Sequence, residues 1–182
     1  MEMVSLDFVN SVFRDFRGRW ERDDLRQPEW LARFLEKWHF YIVQPVDETV
    51  MKELVDLREL LVRIVGKLNT PQGVDAQDLI ELNTHLSKTV FHYQVELVDR
   101  ELHVASQPVR KDWNWVQNEI IADFLALVAD YDALRVKICN NPHCRWIFYD
   151  ETKSRTRRYC SIDKCANLMK VRRFRARQKE RI

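Results

Sequence analysis

The chain has 182 residues, enough for one ordinary domain and a small appendage. With 46% hydrophobic and 32% charged residues and only 3 Gly and 5 Pro, the composition excludes a disordered, collagenous or low-complexity protein and favours helix. The formal net charge of +2 conceals a division: residues 1–134 hold 15 Lys+Arg against 24 Asp+Glu, whereas residues 135–182 hold 15 against 4, so an acidic body carries a basic arm suited to a polyanion.

In chain order, Leu6, Val9 and Phe13 at i, i+3 and i+7 predict a helix over Ser5–Phe13, broken by the polar stretch Arg14–Asp24. Pro28 suits the first turn of a second helix, whose Trp30, Leu31, Phe34, Leu35 and Trp38 repeat at helical spacing. Val50, Leu54, Leu57, Leu61, Ile64 and Leu68 predict a long third helix that ends before Asn69-Thr70-Pro71-Gln72-Gly73, and Asp75–Leu86 a shorter fourth. Alternation of Tyr93, Val95 and Leu97, then of Leu102 and Val104, predicts one β-hairpin turning at Asp99-Arg100-Glu101. Asp112 is the expected N-cap of a helix running through Trp113, Val116, Ile120, Phe124, Leu127 and Leu134. The first 134 residues are therefore expected to be an α-rich bundle with one small hairpin, making the fold class mainly α. The most apolar long stretch, Ile120–Leu134, is interrupted by Asp123, Asp130 and Asp132, and no basic region followed by an apolar core opens the chain. A cytoplasmic protein with no membrane segment is expected.

All four cysteines lie in the arm, at Cys139, Cys144, Cys160 and Cys165, in the pattern C-x4-C-x15-C-x4-C. Such spacing suits a structural Zn2+ ion held by two short loops, with the intervening segment folded back as a zinc-ribbon-like hairpin. Four thiolates close the coordination sphere and leave no open position for substrate, so the metal is expected to be structural. His143, beside Cys144, is the alternative fourth ligand. A four-thiolate site carries formal charge −2, which Arg145, Lys153, Arg157 and Arg158 are expected to offset.

After Cys165, Leu168, Val171 and Phe174 share one apolar arc of a helix whose other face holds Lys170, Arg172, Arg173, Arg177, Lys179 and Arg181. Packing that stripe on the zinc site would turn the basic face outward, toward phosphates or a major groove. The candidate nucleic-acid contacts are Arg157, Arg158, Lys170, Arg172, Arg173, Arg175, Arg177 and Lys179, with an acidic protein surface as the alternative partner. Trp146, Phe148 and Tyr149 either stack on bases or pack round the metal.

Cys139-Asn140-Asn141-Pro142-His143-Cys144-Arg145-Trp146, Arg157-Arg158-Tyr159-Cys160-Ser161 and Cys165-Ala166-Asn167-Leu168 resemble the CGNR zinc finger, and Leu6-Asp7-Phe8-Val9-Asn10 is similar to the opening of the ABATE domain that accompanies it in bacteria. The resemblance implies a sensor or dimerisation domain over 1–134, a finger over 135–182, zinc on the four cysteines, and a stress-related transcription regulator. The family's Cys-Gly-Asn-Arg is Cys165-Ala166-Asn167-Leu168 here, which removes an arginine without touching the metal ligands. The expected partner is nucleic acid, DNA before RNA, with a homodimer and a small ligand of the body as further expectations.

Catalysis is not expected, because H-E-x-x-H, G-x-S-x-G, P-loop and G-x-G-x-x-G patterns are all missing. Trp20, Trp30, Trp38, Trp113 and Trp115 are the candidates to line a ligand pocket, with core packing the alternative.

Overall fold

The computed structural model describes residues 2–179. In order they form α1 (Val4–Val9), β1 (Val12–Arg14), β2 (Glu21–Asp23), a 3-10 turn (Asp24–Arg26), α2 (Pro28–Lys37), α3 (Glu48–Leu68), α4 (Ala76–Leu86), β3 (Phe91–Val98), β4 (Glu101–Pro108) and α5 (Trp113–Ala129). A 3-10 turn (Ala133–Arg135), β5 (Val136–Ile138), β6 (Ile147–Tyr149), a π-helical turn (Ile162–Ala166) and α6 (Asn167–Lys179) complete the chain.

The helices start where the sequence supplies acceptors for otherwise unpaired N–H groups. The Asp47 carboxylate accepts from Val50 N, and that of Asp112 from Asn114 N and Trp115 N. Asp75 and Asp78 form a reciprocal capping box at α4. Pro28 occupies the first turn of α2, where a missing N–H costs nothing.

Six helices dominate the described residues, so the mainly α expectation holds in outline, but the strands form three antiparallel two-stranded ribbons rather than one. The first ribbon falls where the sequence suggested the end of a helix and a polar break. Helix α1 stops at Val9, and Phe13 lies in β1, opposite Arg22. The predicted hairpin is present, with Val95 opposite Val104 and the turn at Asp99 and Arg100, both at positive φ. Helix α5 ends at Ala129, short of Leu134, because the Asp132 side chain accepts from Leu134 N and starts a separate 3-10 turn.

One apolar core unites α1, α2, α3, α4 and α5 around Phe8, Leu25, Leu54, Leu57, Leu61, Val116, Ile120, Ile121 and Leu127. Val136 of β5 and Ile147 of β6 belong to the same core, so the arm is seated in the body. Trp113 and Trp115 are buried and Trp30 stacks on Phe34. The five tryptophans considered as pocket residues do not gather round one cavity: only Trp113 lines the apolar cleft of about 840 Å³ between α2 and α3. Among the described residues no helix is long and apolar enough to cross a membrane.

Candidate metal centre and basic arm

The first cysteine pair is set by the β5–β6 turn. Cys139 N donates to Trp146 O at 2.8 Å, while Cys144 N and Arg145 N both donate to Asn141 O, at 2.9 and 3.2 Å. Arg145 closes this knuckle in the left-handed region, at φ 53. The second pair is set differently: Cys160 precedes the π-helical turn, Cys165 lies within it, and the Ser161 hydroxyl accepts from Lys164 N at 3.2 Å. The zinc-ribbon-like expectation is thus corrected in form. The hairpin encloses the first pair rather than separating the two, and the second pair sits at a helix start.

These two devices bring the four Sγ atoms to within 4.8 Å of one another. Cys144 Sγ lies 3.6 Å from Cys160 Sγ, which lies 3.8 Å from Cys165 Sγ. A tetrahedral ion with bonds of about 2.3 Å to sulfur separates its ligands by about 3.8 Å, so the cluster has the size of a metal site. No disulfide joins the four. Hydrogen bonding from the Cys144 and Cys160 thiols drives the Cys139 thiol well below its ordinary value, and the same sharing pushes Cys144 up to about 12 and Cys160 higher still. His143 is exposed and stands outside the cluster.

The surrounding contacts orient the sulfurs. Cys160 N donates to Cys139 Sγ at 3.5 Å. The fully buried Asn141 donates through Nδ2 to Cys165 Sγ at 3.4 Å and to Phe16 O at 2.7 Å, tying the cluster to the β1–β2 ribbon. Phe16, Trp146 and Tyr159 pack against the cysteines. Gly18, at φ +82 in the same ribbon, lies under the His143 ring so closely that a Cβ there would come within 2.4 Å of Nδ1.

Two polar groups missed by the sequence reading hold the knuckle, Asn10 by fastening it to the body and Asp150 by bracing the arm from within. Asn10 Nδ2 donates to Ile147 O at 2.9 Å and Ile147 N donates to Asn10 Oδ1 at 2.8 Å, so one buried side chain pairs with β6 as a strand would. The fully buried Asp150 carboxylate accepts from Lys137 Nζ, Thr152 N, Thr152 Oγ1 and Arg157 N. Burial alone would raise its pKa, but those bonds outweigh it and hold the carboxyl far below the usual carboxylate range. Asn10 resembles any surface polar residue until its partner Ile147, far away in sequence, is known, and Asp150 does so until the loop that folds round it is known.

The predicted basic residues divide. Arg157 turns inward: its guanidinium donates to Tyr159 O and Cys160 O and lies 4.9 Å from the centre of the Phe148 ring. It braces the cysteine loop, the charge-offsetting role also expected of it, whereas it was expected as a nucleic-acid contact too. Of the four residues expected to offset the site's charge, Arg145, Lys153 and Arg158 are exposed. Lys170, Arg173, Arg175, Arg177 and Lys179 are exposed along α6, while Arg172 is half-buried and reaches Arg17 O at 3.5 Å, and Arg181 lies outside the described residues. The apolar stripe packs only at its start. Leu168 is half-buried, but Val171 and Phe174 are exposed because α6 runs past the cysteine cluster into solvent. Phe148 is buried against the cysteines, and Trp146 and Tyr149 meet Phe13 and Tyr131 edge-on, so all three aromatic residues pack within the molecule.

Two family profiles account for nearly the whole chain. Residues 135–178 match the CGNR zinc finger, and residues 2–131 match ABATE, described as "Putative stress-induced transcription regulator". Among curated proteins no sequence matches. The chain therefore belongs to the ABATE family and carries a CGNR zinc finger at its C-terminal end.

Proposed function

We propose that this protein is a DNA-binding transcriptional regulator in which the four cysteines hold a structural zinc ion and helix α6 is the principal DNA contact. The observation that carries the reading is the exposed single-signed helix: Lys170, Arg173, Arg175, Arg177 and Lys179 project from it, and its described residues include no acid. A helix of this kind, anchored at its first turn by a metal site, supplies phosphate contacts at fixed spacing. Zinc is favoured over other ions by four thiolate donors in a tetrahedral-sized cluster, and four ligands leave no position for a reacting water. The site is accordingly assigned a structural role, the protein no enzymatic one, and a reducing cytoplasm the compartment that keeps the thiols free. The family's description as a transcription regulator agrees with DNA as the partner.

The test is a salt-titrated binding assay of the metal-quantified protein on genomic duplex fragments, with RNA of matching sequence as competitor. Retention of a subset of duplexes near physiological salt is expected. Changing Arg173, Arg175 and Arg177 to Gln should flatten the log–log salt dependence by about 0.9 for each phosphate no longer neutralised. An unchanged slope would remove α6 from the interface, and competition by RNA at equal concentration would replace DNA with RNA as the target.

A further inference from the structure

The β3–β4 ribbon carries a surface that neither the metal centre nor the basic arm uses. Its register places Phe91 opposite Pro108, Tyr93 opposite Ser106, Val95 opposite Val104 and Leu97 opposite Leu102, so these eight residues share one face. The other face is mostly polar, with His92 opposite Gln107, Gln94 opposite Ala105 and Glu96 opposite His103. That alternation is the pattern of a sheet with one side covered. Here no described residue covers it: Tyr93 is 81%, Leu97 70% and Leu102 75% exposed.

By their fractional exposures, Phe91, Tyr93, Val95, Leu97, Leu102 and Val104 together leave on the order of 700 Å² in solvent, backbone and the Tyr93 hydroxyl included. The largest apolar patch on a monomer is typically about 300–600 Å², whereas about 800 Å² is one partner's share of a standard protein–protein interface. An eight-residue ribbon with no packed face is also marginal in water, so its formation calls for a partner layer.

We propose that this face is a homodimer interface in which the ribbons of two copies stack face to face. The argument for a second copy is area and self-complementarity. Each face carries about half of a standard interface; away from the turn it is bulky on β3, at Phe91 and Tyr93, and small on β4, at Ser106 and Pro108, while toward the turn Val95 and Leu97 match Val104 and Leu102. Laying β3 of one copy over β4 of the other seats aromatic rings over small residues on both sides of a two-fold axis, as an isologous contact requires. Charge disfavours a nucleic acid or an anionic membrane at this ribbon, because its strands and turn hold Glu96, Asp99 and Glu101 against Arg100.

Sedimentation of the full-length metal-loaded protein across the micromolar range tests the assignment. The wild type should sediment as a dimer, and Val95→Glu with Val104→Glu should raise the dissociation constant by at least about a hundredfold, since like charges would face one another in a dry layer. The control Gln94→Glu, on the polar face, should leave the dimer intact. Equal helical circular dichroism and metal content verify that the variants are folded. Should the double variant lose helicity, Leu97→Ser with Leu102→Ser, near the turn, gives the same reading. A monomeric wild type, alone or captured by another protein or by vesicles, overturns the proposal. So does a dimer that persists in folded variants.

Discussion

Asn10 ends α1 and closes the hydrogen bonding of β6 across the body–finger boundary, using both halves of its amide on one residue, Ile147. Replacing Asn10 by Ala leaves the Ile147 N–H and C=O buried without partners, which should cost about 2–3 kcal/mol in urea unfolding. A loss below about 0.5 kcal/mol would show that water reaches the site. Asp78, 1% exposed, joins α3 to α4 by accepting from Arg63 and Lys67 while completing the capping box. Burial pushes its carboxyl up, but the bonds from Lys67, Arg63 and the Asp75 backbone prevail and bring it from 3.8 to about 2. A pKa lowered in the folded state means that the unfolded chain takes up the proton first as pH falls. The stabilisation by Asp78 is therefore present above about pH 4 and disappears as pH drops through about 2. Thermal melts should show Asp78→Asn less stable than the wild type by about 2 kcal/mol at neutral pH, with the gap narrowing below pH 4. A gap independent of pH would mean that shape rather than charge is what Asp78 contributes.

The β1–β2 ribbon is short, yet it holds one side of the metal knuckle through Phe16, Gly18 and the edge contact between Phe13 and Trp146. Gly18 at φ +82 is the position where a side chain is least tolerated. The exposed His143 ring can move away from an added methyl, but the backbone conformation remains unfavourable. Gly18→Ala should destabilise the protein by about 1 kcal/mol or more in chemical denaturation, without changing metal stoichiometry. Loss of the metal in that variant would show that the ribbon shapes the cluster itself as well as covering it. Helix α6 has the opposite character. It is fastened at its start by the π-helical turn and the half-buried Leu168, and further along by the Arg172 bond to Arg17 O, while Val171 and Phe174 remain in solvent. An outward helix with so little packing is free to present its charges along their whole length.

At the scale of the molecule, Val136 and Ile147 place the cysteine-bearing hairpin in the same core as α1, α3 and α5. Removing the metal with a chelator should therefore lower the melting temperature of the whole protein by at least about 5 °C in a single transition. Two separate transitions, the larger unmoved by chelation, would show that the finger folds independently. The helices were legible in the sequence because their signals are local: apolar residues every three or four positions, and Asp112 capping the turn that follows it. The four cysteines were legible because the constraint of a metal site is written in spacing and donor type, and the charge division because it is a matter of counting. What only the tertiary structure decided concerns partners far apart in the chain. It joined Asn10 to β6, turned Arg157 inward and left Val171 and Phe174 uncovered. The physical reason is that periodicity and capping act within a few residues, whereas the burial of a polar group or the exposure of an apolar one depends on which distant surface arrives to meet it.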